Sequence, residues 1–378
     1  MTDLLQIARD HVPLVEQEAS TSEQLATMPA AVVQAFRDSG LFALQIPRSL
    51  GGFEADIETA LGVYEIVSRA DASTGWSLLA NASTSAFAST YTGDDAVAAM
   101  FADGIPTHAG QFAPRGSAIA VSDDAYQVSG RYSFGSGSGH ADWIGGGTLE
   151  LVDGAPRMIT PERPAIRAFF VPRDHVEFAG NWDVMGLVGT GSFDYVVPEQ
   201  LVDSAFTFDI IGDEPQRGSP MYRIGVLGLA AIGHAGFALG VGRRALDEIA
   251  ILAQTKQRLG NLSVLADQER FQYELGRHDA AMRAARALAY DAFGRAQEKL
   301  DAGHDFDMPE LVPLRQATTW ATDVAAEAVR FAYLSSGSDG LRNPSVLGRY
   351  FRDIHAATQH VFVDDSTIVQ AGRALLGR

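Results

Sequence analysis

The 378 residues contain no cysteine. That absence excludes a disulfide framework, a thiolate nucleophile, and thiolate-bound metals or iron–sulfur clusters, and no metal site is expected. Positive charge is also scarce, with 29 Lys and Arg against 47 Asp and Glu, for a net charge of -18. Such a surface repels phosphate backbones, so nucleic acid and anionic membranes are excluded as partners and a small-molecule substrate is expected. The N-terminus, Met1 to Leu5, has no basic patch leading into an apolar run. No signal peptide is read there, and the expected compartment is cytoplasmic. Several familiar motifs are missing as well: no phosphate-binding Gly-x-x-x-x-Gly-Lys-Ser/Thr loop, no His-Glu-x-x-His helix, no Gly-x-Ser-x-Gly elbow. The Gly-rich run Gly135-Ser136-Gly137-Ser138-Gly139 follows a strand-like segment and opens no helix, so it is not a dinucleotide fingerprint.

With 46% hydrophobic residues, the chain can bury a large core divided among two or three cooperating domains. Residues 1–104 read as helical. Leu4, Ile7, Ala8, Val12 and Val15 share a face, and further helical runs cover 29–40, 56–71 and 74–91, with a loop at Pro47, Gly51 and Gly52. Residues 105–212 change to short β-type runs, among them 118–121, 125–134, 166–171 and 193–197, with Asp123-Asp124 at a hairpin turn. Residues 213–378 return to long helices. One runs from about Asp267 to Leu300; another keeps a three-four spacing through Ala317, Trp320, Val324, Ala328 and Phe331. The stretch 224–242 is apolar or Gly except for His234 and nearly long enough to span a bilayer, but the amphipathic continuation at Arg243-Arg244 marks it as a buried helix. The expected fold class is α+β, mainly α: an N-terminal helical domain, a central β domain and a C-terminal four-helix bundle.

Four segments in this order resemble the acyl-CoA dehydrogenase family across essentially the whole chain. They are Gly40 to Pro47 with Gly51-Gly52; Ser129 to Trp143; Trp182 with Gly186 to Asp194; and Lys256 to Gly260 followed by Gln268. The resemblance implies a flavin site. Phe134 and Ser136 stand where the family keeps an aromatic residue and a hydroxyl beside the isoalloxazine. Thr190, Gly191 and Ser192 stand in its second flavin-facing turn. Lys256 replaces an Arg that reaches a neighbouring subunit's cofactor phosphates, and Leu259 replaces a Phe.

The family's dehydrogenases need a carboxylate base to take an α-proton from an acyl thioester. Aligned on Arg352-Asp353, the usual base position is Val361, and the alternative position falls near Ala230; neither can accept a proton. The chain is therefore similar to the family's flavin-dependent monooxygenase branch, oxygenase components in which reduced flavin and O2 form a C4a-hydroperoxide that must be protected from collapse. The resemblance implies reduced FMN or FAD supplied by a separate flavin reductase, O2 as co-substrate and a homotetramer. Ser136 would bond near flavin N5, and His360 would orient the substrate or the distal oxygen. Phe362, Asn81 and Thr84 are candidates for substrate contact; the last two lie on the helix after Asp71-Ala72-Ser73-Thr74-Gly75-Trp76, where phenol-type members often carry a His. His355 is read as off the His360 face, Asp364 and Asp365 as capping or pairing groups, and His140 and His234 as ordinary polar or core positions. An acyl-CoA dehydrogenase or oxidase with its base at Asp364 or Asp365, an amino-sugar N-oxygenase, and a flavin-free scaffold are the alternatives.

Overall fold

The computed structural model describes residues 2–304 and 306–378. Five helices come first: α1 (Leu4–Leu25), α2 (Ala30–Ser39), α3 (Ile57–Ala70), α4 (Ala72–Tyr91) and α5 (Asp94–Met100). Asp3, Asp56 and Asp71 start α1, α3 and α4 by accepting backbone N–H groups that the first helical turn leaves unpaired. On α1 the expected face holds, with Leu4, Ala8 and Val15 buried.

Ten strands follow: β1 (His108–Ser122), β2 (Ala125–Gly135), β3 (Trp143–Val152), β4 (Ala155–Pro156), β5 (Met158–Thr160), β6 (Arg163–Pro164), β7 (Ile166–Pro172), β8 (Glu177–Phe178), β9 (Phe193–Asp203) and β10 (Thr207–Asp209). The main sheet has the order β10-β7-β3-β1-β2-β9-β8. It is mixed, because β1 pairs β3 in parallel and its other neighbour β2 antiparallel. Asp123-Asp124 does form the turn between β1 and β2. Strand β3 escapes the sequence reading because its centre is Gly145-Gly146-Gly147, residues that weaken strand patterns. Here they make room for rings: a Cβ on Gly145 would lie 2.7 Å from the Phe112 ring, and one on Gly146 2.7 Å from Phe169 and Tyr132.

The chain ends in α6 (Gly225–Ala253), α7 (Glu269–Asp301), α8 (Leu311–Ser336), α9 (Val346–Ala357) and α10 (Ser366–Leu375). Three long helices form the bundle and two short ones complete it. Helix α6 is long and apolar enough to cross a membrane, but 89% of that window is buried inside the fold, so it is the core helix of the bundle. Its glycines bring it against α3: a Cβ on Gly236 would lie 2.7 Å from the Leu61 carbonyl oxygen, and one on Gly240 2.3 Å from that of Glu65. Large side chains along the same helix, such as Leu229, Phe237 and Leu246, are at most 1% exposed. Each contributes about 1.5–3 kcal/mol by leaving water. Along α8 the inward face is as expected except for Trp320, which is 48% exposed.

Candidate flavin and substrate site

Next to the last residue of strand β2 stands Phe134, whose φ of +66° is a conformation that non-glycine residues adopt only when the surroundings impose it. The Phe134 amide donates to Asp194 Oδ1 at 3.3 Å, and its ring, 64% exposed, meets Trp182 edge to face. A strained aromatic ring held out at the end of a strand suits a flat ligand better than it suits water.

Beyond it the loop of residues 136–139 packs against the turn Val188–Thr190. Gly137 N–H donates to the Thr190 carbonyl at 3.1 Å, and the Ser138 hydroxyl reaches the Gly191 carbonyl. Between loop and turn lies a row of polar groups. Trp76 Nε1 is 3.1 Å from Ser136 Oγ; Ser136 Oγ and Ser192 Oγ are 2.7 Å apart; Ser192 Oγ and Thr190 Oγ1 are 2.7 Å apart; and Thr190 Oγ1 donates to the Leu187 carbonyl at 2.7 Å. Ser136, Thr190 and Ser192, predicted from separate segments, thus form one connected group. Ser136 is half-buried, whereas Thr190 and Ser192 are buried.

The turn is held from behind. Leu187 is buried at φ +56°, and its N–H donates to Asp353 Oδ1 at 2.6 Å. Burial foremost, with the nearby Asp71 charge, pushes the Asp353 carboxyl up to about 7, while the Leu187 N–H and Arg349 oppose the shift.

On the other side of Trp76 lies an aromatic group. Its indole meets His234 at 4.9 Å, Phe237 at 5.0 Å and His360 at 5.5 Å between ring centroids, all edge to face. His234 and His360 are 4.5 Å apart, and Phe362 stacks on His360 at 5.3 Å. Burial takes the His360 imidazole down to about 4; burial and then the neighbouring His360 push His234 well below its usual range. Both rings are neutral at physiological pH. The Phe362 N–H donates to His360 Nδ1 at 3.3 Å, which assigns the His360 proton to Nε2. Neither nitrogen of His234, a residue 4% exposed, bonds to any described residue.

Some expectations change. His234 is a core position as read, buried on α6, and it also shares the cluster of His360 and Phe362. It is the lone polar residue of its apolar stretch, which is the signal the sequence offers. Trp76 is a second residue that the sequence reading does not single out, although it is the one Trp in a helix rich in Ala, Ser and Thr.

Asn81, read as a substrate contact, is taken up by partners within the protein. It is fully buried; its amide nitrogen donates to the carbonyls of His108 and Gly137, and its oxygen lies 2.9 Å from His140 Nε2. It supports the 136–139 loop so closely that a Cβ on Gly137, itself at φ +71°, would come within 2.3 Å of it. Thr84 is 3% exposed within the α4 packing and joins none of the contacts of the cluster.

Lys256 lies beyond the far end of α6, about 28 Å along the helix axis from His234 to Ala253. Its ammonium pairs with Asp339 at 2.8 Å, so a phosphate would have to compete with that carboxylate. Val361 is exposed, Ala230 is buried, and Asp364 is exposed and accepts the Ser366 N–H at 2.9 Å. His355 turns instead to the Phe351 carbonyl.

Comparison with known proteins fits this geometry. Residues 4–104 match the acyl-CoA dehydrogenase N-terminal domain, and residues 232–365 the acyl-CoA dehydrogenase C-terminal domain. The chain is 32% identical over 348 residues to an indole-3-acetate monooxygenase of Pseudomonas putida, covering 92% of this chain and 87% of that protein. It is 25% identical to HsaA of Rhodococcus jostii, the oxygenase subunit of a flavin-dependent monooxygenase, covering 93% and 92% of the two chains. Among solved structures, XiaF from a Streptomyces species, in complex with FADH2 and glycerol, superposes with a TM-score of 0.90 at 22% identity, over 99% of this chain and 95% of that one.

Proposed function

The chain belongs to the acyl-CoA dehydrogenase family and, within it, to the oxygenase components of flavin-dependent monooxygenases; on that premise we propose that it hydroxylates a neutral heteroaromatic ring bearing an N–H or O–H group, of the indole type. It works with reduced flavin that a partner reductase supplies. When bound, reduced flavin supplies the electrons that activate O2 for transfer of one oxygen atom to the substrate.

The chain's own residues hold the reactants and keep water away. Phe134 and Trp182 would hold one edge of the flavin ring, Thr190, Gly191 and Ser192 would approach it through their backbone, and Ser136 would bond near N5. The observation that carries the substrate reading is the cluster of Trp76, His234, His360 and Phe362. It is aromatic and neutral, with Trp76 and His234 buried, His360 and Phe362 half-buried, and one assigned donor, His360 Nε2–H. Such a lining stacks on a flat ring and bonds to a single polar edge, whereas an acyl thioester would need a carboxylate base. No carboxylate acts on the protonation of either imidazole.

Leu259, Leu262, Leu334 and Leu341 are more than half exposed around the bundle. This supports a homotetramer formed through the bundle, in which Lys256 serves a neighbouring subunit's cofactor phosphates. The expected location is the cytoplasm, with the reductase.

The test is to mix the protein and anaerobically reduced flavin with 18O2 and indole. Labelled hydroxylated product is expected, and Ser136→Ala and His360→Ala should still oxidise flavin while releasing hydrogen peroxide in place of product. Unchanged coupling in both variants would overturn the assignment of the site. Bleaching of bound flavin by an acyl-CoA would return the chain to the dehydrogenases.

A further inference from the structure

The hydroxyl row beside Ser136 has only one consistent direction. A carbonyl oxygen can only accept, so the single Thr190 hydroxyl proton is committed to Leu187. Thr190 must then accept from Ser192, and Ser192 from Ser136. At the other end an indole N–H can only donate, and Trp76 donates to Ser136. Every hydrogen bond in the row therefore points from Trp76 towards Leu187, and Ser136 has no proton left to offer. Towards anything else it presents a lone pair.

We propose that this one-way relay makes Ser136 an obligate acceptor and so selects the redox state of the flavin. Reduced isoalloxazine carries a hydrogen on N5 and satisfies an acceptor; oxidised isoalloxazine has a lone pair there and requires a donor. For Ser136 to donate to the oxidised ring, the row must either reverse, losing the Thr190 bond to Leu187, or break between Ser136 and Ser192. Either route loses one hydrogen bond, which corresponds to roughly three- to tenfold in affinity. Thr190 and Ser192 are thus positioning residues that set the polarity of Ser136. The inference rests on the reading that Ser136 meets the flavin at N5.

Thr190→Val keeps the shape of the side chain, and Leu187 O retains the Trp182 indole N–H at 3.2 Å. Either this variant or Ser192→Ala leaves the row free to turn its last proton towards the ligand. Oxidised and dithionite-reduced FMN and FAD would be titrated anaerobically, following protein fluorescence and the thermal midpoint with each flavin. Thr190→Val and Ser192→Ala should each bind oxidised flavin about three- to tenfold more tightly, with reduced-flavin affinity within about twofold of wild type. Trp76→Phe leaves the direction of the row intact and should shift both affinities alike, preserving their ratio.

If Ser136→Ala changes flavin affinity while Thr190→Val and Ser192→Ala leave the reduced-to-oxidised ratio untouched, the relay is overturned and the flavin reading stands. If Ser136→Ala alters neither affinity, Ser136 does not meet the flavin and both readings fall.

Discussion

His234 and His360 face each other with ring centroids 4.5 Å apart, one on the core helix α6 and the other after α9. Both are neutral, and only one ring nitrogen of the pair, His360 Nδ1, is bonded to a described residue. Ring nitrogens that meet no protein group are open to a ligand that enters the cluster. His234→Phe should therefore reduce product formed per flavin oxidised by about tenfold or more, as expected for one lost polar contact to the reacting ring, with flavin oxidation within about twofold of wild type. Product and peroxide yields measured together check this. Equal loss of both activities would mean that His234 acts only on stability.

The protonation state of His360 gives a pH signature. Its imidazole lies at about 4 in the folded chain, below the usual histidine value because of burial. Coupling of flavin oxidation to product should stay flat from pH 8 down to about 5 and fall only below that. A midpoint near 6.5 in the product-to-peroxide ratio would contradict a buried neutral ring.

Asn81 predicts a stability effect. Asn81→Ala leaves two carbonyls and His140 Nε2 without their partner beneath the 136–139 loop. The expected cost is about 2–4 kcal/mol in urea unfolding, with weakened flavin binding even where the variant is fully folded. Wild-type flavin affinity in a destabilised variant would separate Asn81 from the loop.

Asp353 predicts a trend in the opposite sense to acid denaturation. A carboxyl raised to about 7 holds its proton more tightly folded than unfolded. Its contribution is full below the ordinary carboxyl pKa and is lost as pH rises to about 7, on the order of a few kcal/mol. Asp353→Asn keeps an oxygen for the Leu187 N–H and should remove this slope, so the variant gains on wild type between pH 4 and 7.5. Urea midpoints across that range decide it.

How much was legible beforehand depended on whether the signal was local. Helices with a three-four apolar spacing, such as α1 and α8, stood out, as did the alternating strands β2 and β9 and the turn at Asp123-Asp124. Strand β3 did not, because its glycines carry no pattern and are explained only by the rings of Phe112 and Phe169 packed over them. In the site, Ser136, Thr190 and Ser192 could be named from motif position, but their joining into one row depends on two segments meeting in space. His234 was visible as a lone polar residue in an apolar run; its role appears only when α6 is laid beside residues 360–362. The sequence places Asn81 on the helix beside the site but does not show that its amide is buried against the 136–139 loop, since burial is a property of packing and not of residue type.

The backbone of the single residue Leu187 has a consequence for how the protein matures. Its N–H belongs to Asp353, a residue 166 positions further along the chain, while its carbonyl terminates the Ser136 row. A contact of such separation forms late, after loop-closure entropy has been overcome by nearer contacts. Flavin competence should therefore be the last property to appear on refolding, trailing the recovery of helix. A nascent chain with helices α1 to α8 complete would still lack a working cofactor site until α9 docks.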